Sequence, residues 1–247
     1  MSQARPVDVS VILNGHREGH LIHPTLGSVR RALDYARGCG LVAELIVVLD
    51  RPDADTMDVV TRAAGEGDQV HPVDFGDPAM SRNYGIGQAR GRFASFIDGD
   101  DLWCREWLAD ATLMARHLPD ESILHPEYSV YFGDDFPHVL HHTDMTSAEF
   151  EPEHFLKQNY WTALSFAARE TYARVPYVRS SLTAGFGYED WTWNHETMRQ
   201  GIVHRTVPGT SPFIRRGKHT HSVNSTANSA KTVSRMLDVY RLAPLAA

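Results

Sequence analysis

The chain has 247 residues, 42% of them hydrophobic, with 31 acidic against 24 basic residues and a formal net charge of −7. That acid excess argues against nucleic acid as a main partner and against a basic membrane-binding surface, and the two cysteines, Cys39 and Cys104, are too few for a disulfide framework or a zinc ribbon. No apolar stretch approaches the ~20 residues of a membrane span, and the opening MSQARPVDVS lacks the apolar core of a signal peptide, so the expected location is the cytoplasm.

The length suits one α/β domain with an appended segment, or at most two small domains. Residues 7–13, VDVSVIL, read as a first buried strand ending in the loop Asn14-Gly15-His16. Spacing through Leu26, Val29, Leu33 and Tyr35-Ala36 predicts a helix over 24–37, stopped by Gly38. Residues 41–49, LVAELIVVL, predict a second buried strand that ends at Asp50 before the turn Arg51-Pro52-Asp53. Asp55 or Thr56 is the expected cap of a helix running to about Ala64. A short strand is expected over 70–75, a helix weakened by Gly85 and Gly87 over 79–90, and a strand over 93–97. Strands alternating with helices at this spacing predict right-handed βαβ units and a mostly parallel sheet.

The second half is less regular. A helix is expected over 102–118, ended by Pro119, then a strand pair or one irregular strand over 123–132. Residues 133–152, rich in Asp, His and Pro, read as loop, His138, His141 and His142 included. A short helix over 153–158, a strand over 161–167, helices over 169–174 and 189–201 and a strand over 202–207 follow. A last amphipathic helix is expected over 228–242, with Val233, Met236-Leu237 and Tyr240 on one face.

The stretch RFASFIDGDDLW, Arg92 to Trp103, organises the rest. An apolar run stops at Asp98, Asp100 and Asp101, with Gly99 between the first two. Ligands of open α/β sheets sit outside the carboxyl ends of strands. Crowded carboxylates repel unless a cation or strong donors offset them, and a small cluster of oxygen ligands suits Mg²⁺ or Mn²⁺ completed by substrate phosphate and water. An Asp-rich turn capping the following helix would look the same. Arg82, in Ser81-Arg82-Asn83, suits a phosphate or a carboxylate of the cluster, since its fork bonds oxygen pairs. Glu189 and Asp190 begin a helix, whose positive end favours carboxylates. Tyr188, Trp191 and Trp193 around them suit either a flat apolar ligand surface or core packing.

The blocks VSVILNGHRE, ELIVVLDRPDADT, SRNYGIGQARGRFASFIDGDDLW and GFGYEDW, in this order, resemble successive blocks of the family 2 glycosyltransferases. The resemblance covers roughly the first 105 residues and resumes from about 159 to about 225. It implies the GT-A fold, a Rossmann-like, mostly parallel α/β sheet flanked by helices, as a single domain over 1–247. Within it, 1–118 would bind the nucleotide sugar, 119–227 would form the smaller acceptor-binding and catalytic half, and 228–247 a C-terminal helix.

The resemblance also assigns residues. Asn14, His16 and Asp50 would line the base pocket, although Leu49 replaces the first of the family's two acids there. Arg82 would order the nucleotide site. Asp98, Asp100 and Asp101 resemble the DXD motif, with Asp100 near ribose and metal, Asp101 on the metal and Asp98 in support. Asp190 would be the general base and Glu189 would hold the acceptor or the loop. The basic segment 213–222 resembles a loop that closes over the diphosphate through Arg216 and Lys218, and His219 or His221 would be a metal ligand. The implied cofactor is Mn²⁺ or Mg²⁺, the donor a nucleoside-diphosphate sugar, expected to be a UDP-sugar, and the acceptor a carbohydrate or glycoconjugate. The Gln-x-x-Arg-Trp motif and membrane spans of processive members are absent from the sequence, so transfer of a single sugar by a soluble enzyme is expected; oligomeric state is not readable. A retaining GT-A enzyme has a similar DXD site. A sugar-phosphate nucleotidyltransferase would need a more glycine-rich first loop, and a non-catalytic nucleotide-sugar binder would lack the metal or base carboxylates that Asp100, Asp101 and Asp190 supply.

Overall fold

Continuous apolar runs in the first hundred residues become buried parallel strands. The computed structural model describes residues 5–119, 121–180 and 188–216. Strand β1 (Val9–Gly15) is buried at every position and leads into α1 (Ile22–Gly38). Then come β2 (Ala43–Asp50), α2 (Ala54–Ala63), β3 (Gln69–Val73), α3 (Pro78–Gln88) and β4 (Phe93–Asp98). The cap of α2 is Asp53, which accepts from the Thr56 N–H, and not Asp55 or Thr56. Asp77 caps α3 in the same way, accepting from Met80, with Pro78 in the first turn.

The DGDD turn does not run into a helix. Leu102–Trp103 forms the two-residue strand β5, and α4 (Trp107–Ala115) starts later than expected. The apolar pair that fits a helix start is drawn instead into pairing with a distant strand. Next are β6 (Ser122–Pro126) and β7 (Tyr128–Phe132), which belong to different sheets rather than forming one hairpin. Strand β8 (His138–His141) lies inside the segment expected to be loop, because β7 supplies it with an antiparallel partner. A single 3₁₀ turn at His154–Leu156, β9 (Phe166–Ala168), α5 (Arg169–Arg174), α6 (Glu189–Arg199), β10 (Val203–Val207) and β11 (Pro212–Arg215) complete the described chain. The helix expected over 228–242 lies outside the described residues.

The main sheet has the order β10-β6-β9-β4-β1-β2-β3, parallel except for β9, which is antiparallel to both neighbours. A second sheet, β5-β11-β7-β8, lies beside the turn after β4. Alternating side chains send Val9, Val11, Leu13, Leu45 and Val47 to a core under α1 and α4. Ile12, Ile46, Val48 and Phe96 go to a second core with α3, Tyr172, Tyr177 and Trp193. A Cβ on Gly85 would collide with Ile12, so the glycine that weakens α3 lets it lie close on the sheet. Register pairs Asn14 with Asp98 at the carboxyl ends of β1 and β4, and Asp50 ends β2 on the same edge.

Candidate active site

The sheet edge expected to take a nucleotide is built by hydrogen bonds that close on themselves. One Asp50 oxygen accepts from the N–H groups of Phe75 (2.8 Å) and Gly76 (2.9 Å), and the other from Asp77 (2.8 Å). A carboxylate offers about four acceptor sites, so most of Asp50 is already engaged in holding the β3–α3 loop. About one acceptor site is left for the base N–H that the resemblance would have it meet. The His16 ring is fixed by the Asp50 carbonyl, and its backbone N–H donates to Glu18 at 2.6 Å. Asn14 differs: it is buried, and neither its amide oxygen nor its amide nitrogen has a hydrogen-bond partner among the described residues. A buried amide left so is costly, and its place beside Asp98 is one a polar ligand would complete.

Of the two partners open to Arg82, the structure gives it carboxylates. Its side chain is 3% exposed, donates to Glu189 at 2.7 Å and to Asp98 at 3.1 Å, and lies 5.5 Å from the Tyr177 ring centre. Those two carboxylates raise its pKa against the lowering effect of full burial. Its fork thus ties the end of β4 to the start of α6, and its Nε–H has no hydrogen-bond partner among the described residues. Glu189 in turn is committed to Arg82.

Beyond Asp98 the chain turns back, Asp101 N–H donating to the Asp98 carbonyl at 3.1 Å. Asp100 and Asp101 are buried. Strand β11 reaches this turn through its pairing with β5. Arg215 donates its backbone N–H to an Asp101 oxygen at 2.8 Å and its Nε–H to the Asp100 carbonyl at 3.3 Å. Burial and the charge of Asp98 push the Asp101 carboxyl well above the usual range. The donor set is hard carboxylate oxygen, which fits Mg²⁺ or Mn²⁺ held by one or two carboxylates with substrate phosphate and water. Among the described residues no group of three or more His, Cys, Asp or Glu forms a self-sufficient metal cage. Lys218, His219 and His221 lie outside the described residues, as do Gly185 to Gly187. Arg216 is described, its guanidinium 4.9 Å from the Tyr131 ring centre.

Asp190 stands in the first turn of α6, after Tyr188 in the left-handed region at φ 57°. Burial first, then the Glu189 charge, push its pKa up to about 7, against the pull of Arg82. Trp193 is core, stacked 4.8 Å from Tyr177 and 5.1 Å from Tyr172, and so is removed from the expected ligand surface. Trp191 and Tyr188 are partly exposed; the Trp191 N–H is held by the Phe155 carbonyl at 2.9 Å. Sequence reasoning missed Tyr131, whose hydroxyl is pushed up to about 12 by burial, with Asp190 and Asp101 adding to the effect. It also missed Arg215 and Asn159. Only the basic run containing Arg215 carried a signal in the sequence.

The sequence pattern described as Glycosyl transferase family 2 matches residues 10–169. No curated protein matches the chain significantly. Among solved structures, Staphylococcus aureus TarS 1-349 is 18% identical with a TM-score of 0.64, covering 85% of this chain and 60% of that one. The same TarS fragment in complex with UDP-GlcNAc is 18% identical with a TM-score of 0.62, over 89% and 61%. The mannosyltransferase PcManGT from Pyrobaculum calidifontis, in complex with GDP-Man and Mn²⁺, is 18% identical with a TM-score of 0.66, over 98% and 66%. The chain therefore spans less than two thirds of each of these chains, and at such identity the likeness is one of fold, the GT-A arrangement. Among the described residues no helix is long and apolar enough to cross a membrane. With the family pattern running through β1, β2, the DGDD turn and into α5, well over half its length, the chain belongs to glycosyl transferase family 2.

Proposed function

We propose that the chain transfers a sugar from a nucleoside-diphosphate sugar to an acceptor hydroxyl, with inversion at the anomeric carbon. The observation that carries this reading is the placement of Asp190, a partly buried carboxylate in the first turn of α6, tied through Glu189 and Arg82 to Asp98; desolvation and the Glu189 charge push its pKa up to about 7. A general base works best with a pKa near the working pH. Asp190 takes the acceptor's proton, the acceptor oxygen bonds to the anomeric carbon, and the bond to the diphosphate breaks with its electrons leaving on the diphosphate. A single base with attack opposite the leaving group inverts the centre. Asp100 and Asp101 would hold Mn²⁺ or Mg²⁺. Such a cation screens the diphosphate as negative charge grows on it in the transition state. Asn14 completes the nucleotide side with its amide, while Asp50 and His16 shape the loops around it.

Solved relatives hold UDP-GlcNAc in one case and GDP-Man with Mn²⁺ in another, which makes these the first donors to try; a UDP-sugar is the expected class. Asp190→Asn should keep donor affinity and lose about 10²–10⁴ in kcat. Near-wild-type turnover in that variant removes Asp190 as the base. The anomeric configuration of the product, read by proton NMR, should be opposite to that of the donor. A product of the same configuration favours a retaining enzyme on the same fold.

A further inference from the structure

Asp190 is bonded to a neighbour that lies outside the four sequence blocks quoted above. Its Oδ2 accepts from Nδ2 of Asn159 at 3.3 Å. The two ends of the Asn159 amide are told apart by their partners. Asn159 Oδ1 receives the backbone N–H of Trp161 at 3.4 Å, a group that can only donate, and also the amide of Asn194 at 3.2 Å. The end turned to Asp190 must then be the N–H end. Asn194 is buried one turn along α6 from Asp190, so Asn159 bridges two positions of the same helix face. The bridge is itself anchored: the Trp161 indole donates to the Thr143 carbonyl at 2.8 Å and stacks on His204 at 4.2 Å.

We propose that Asn159 is a positioning residue for the transfer reaction, its amide N–H fixing the Asp190 carboxylate and favouring its proton-accepting form. This rests on Asp190 being the base. A donor to the charged form of an acid favours that form. The other charged or titratable groups facing Asp190 are Glu189 beside it on α6, Arg82 on α3, Tyr131 on β7 and Tyr177 after α5. None of them supplies the N–H that Asn159 supplies. With Oδ2 so held, and backbone N–H groups of Asp190 and Trp191 also donating to the carboxylate, its rotation is restricted.

The test is a ¹³C-carboxyl NMR titration of the full chain labelled at Asp, with the Asp190 signal identified by its loss in Asp190→Asn. It is run on wild type, Asn159→Ala and Asn159→Asp. Removing the donor should raise the Asp190 midpoint by about one pH unit. Placing a second carboxylate there should raise it further, with Tm nearly unchanged. In parallel, release of UDP from UDP-GlcNAc and of GDP from GDP-Man, each with Mn²⁺, should show kcat reduced about tenfold in Asn159→Ala at unchanged KM for the donor. A midpoint that stays at the wild-type value in both variants overturns the proposal, even if Tm or activity falls, since a merely structural role would do that. If Asp190→Asn itself turns over donor at the wild-type rate, the base assignment falls and this proposal with it. If Asp190→Asn is dead and the Asn159 titrations do not move, only the proposal for Asn159 is lost.

Discussion

Two sets of inward-facing polar groups, one in each half of the chain, are satisfied in different ways. In the first half, buried carboxylates are filled with backbone N–H groups: Asp50 takes three, and Asp77 takes those of Met80 and Ser180. In the second half, the set around Asp190 and three histidines is held differently. Asp190 accepts the Asn159 side-chain N–H at 3.3 Å and backbone N–H groups of its own helical turn, and the imidazoles of His125, His142 and His204 lie fully buried among one another and Trp161. The first arrangement fixes a loop and a pocket in advance of any ligand. The second leaves a carboxyl raised to about 7 and imidazoles that the fold keeps neutral well into acid. A nucleotide pocket benefits from the former and a proton acceptor from the latter.

Arg82 joins the halves, so its loss should have the largest effect. Arg82→Ala leaves Glu189 and Asp98 facing each other without their cation, and breaking a buried pair costs about 3–5 kcal/mol. Urea unfolding should show that loss, and activity should vanish with it. A loss under about 1 kcal/mol would mean that water reaches the pair and that the two halves are not joined there.

The next effect separates the halves by pH. Burial lowers the pKa of His142 to about 4 and of His204 to about 3, and holds His125 well below its usual value. Above pH 6.5 the rings are neutral folded or unfolded and contribute no slope. Below it the unfolded chain takes up protons that the folded chain refuses, so stability falls as the pH drops. The fall runs from about 6.5 to about 4 and is on the order of 3 kcal/mol for His142 alone. His142→Gln should flatten that part of the curve, measured by urea unfolding at pH 4.5 and 7.5. An equal slope in the variant would show that His142 is not the source.

A smaller effect belongs to the first half. Asp50→Asn keeps the shape but turns an amide N–H toward a backbone donor and weakens the charge-assisted bonds, a cost of about 2 kcal/mol. Because the loop would loosen, donor affinity should fall while kcat at saturation stays near wild type, read by steady-state kinetics. A kcat loss instead would place Asp50 in the chemistry rather than in the frame.

The same contrast explains what the sequence made legible. Strands β1, β2 and β4 are long apolar runs alternating with helices, and such runs announce themselves. Strand β8 does not, since HVLH has its histidines at both ends and becomes a strand only because β7 lies beside it. Leu102-Trp103 fits a helix start as well as a strand, and β11, 110 residues away in sequence, decides the matter. The site divides likewise. Asp98, Asp100, Asp101 and Asp190 stand in recognisable blocks, whereas the Arg82–Glu189 pair spans 107 residues and the three bonds to Asp50 come from a loop more than 20 residues on. Contacts of that range leave no local trace in spacing or composition.

The central claim is that the edge holding Asn14 and Asp98 to Asp101 is a metal-assisted nucleotide-sugar site. The most direct test is thermal unfolding with UDP, GDP, CMP and dTDP, each with and without Mn²⁺, on wild type and Asp101→Asn. A ligand at a hundred times its Kd adds about 2.7 kcal/mol to the folded state, which for a chain of this size raises Tm by roughly 5–10 °C. That rise should come from one nucleotide, only with Mn²⁺, and be lost in Asp101→Asn. No rise with any nucleotide, or a rise indifferent to both Mn²⁺ and Asp101, would contradict the claim.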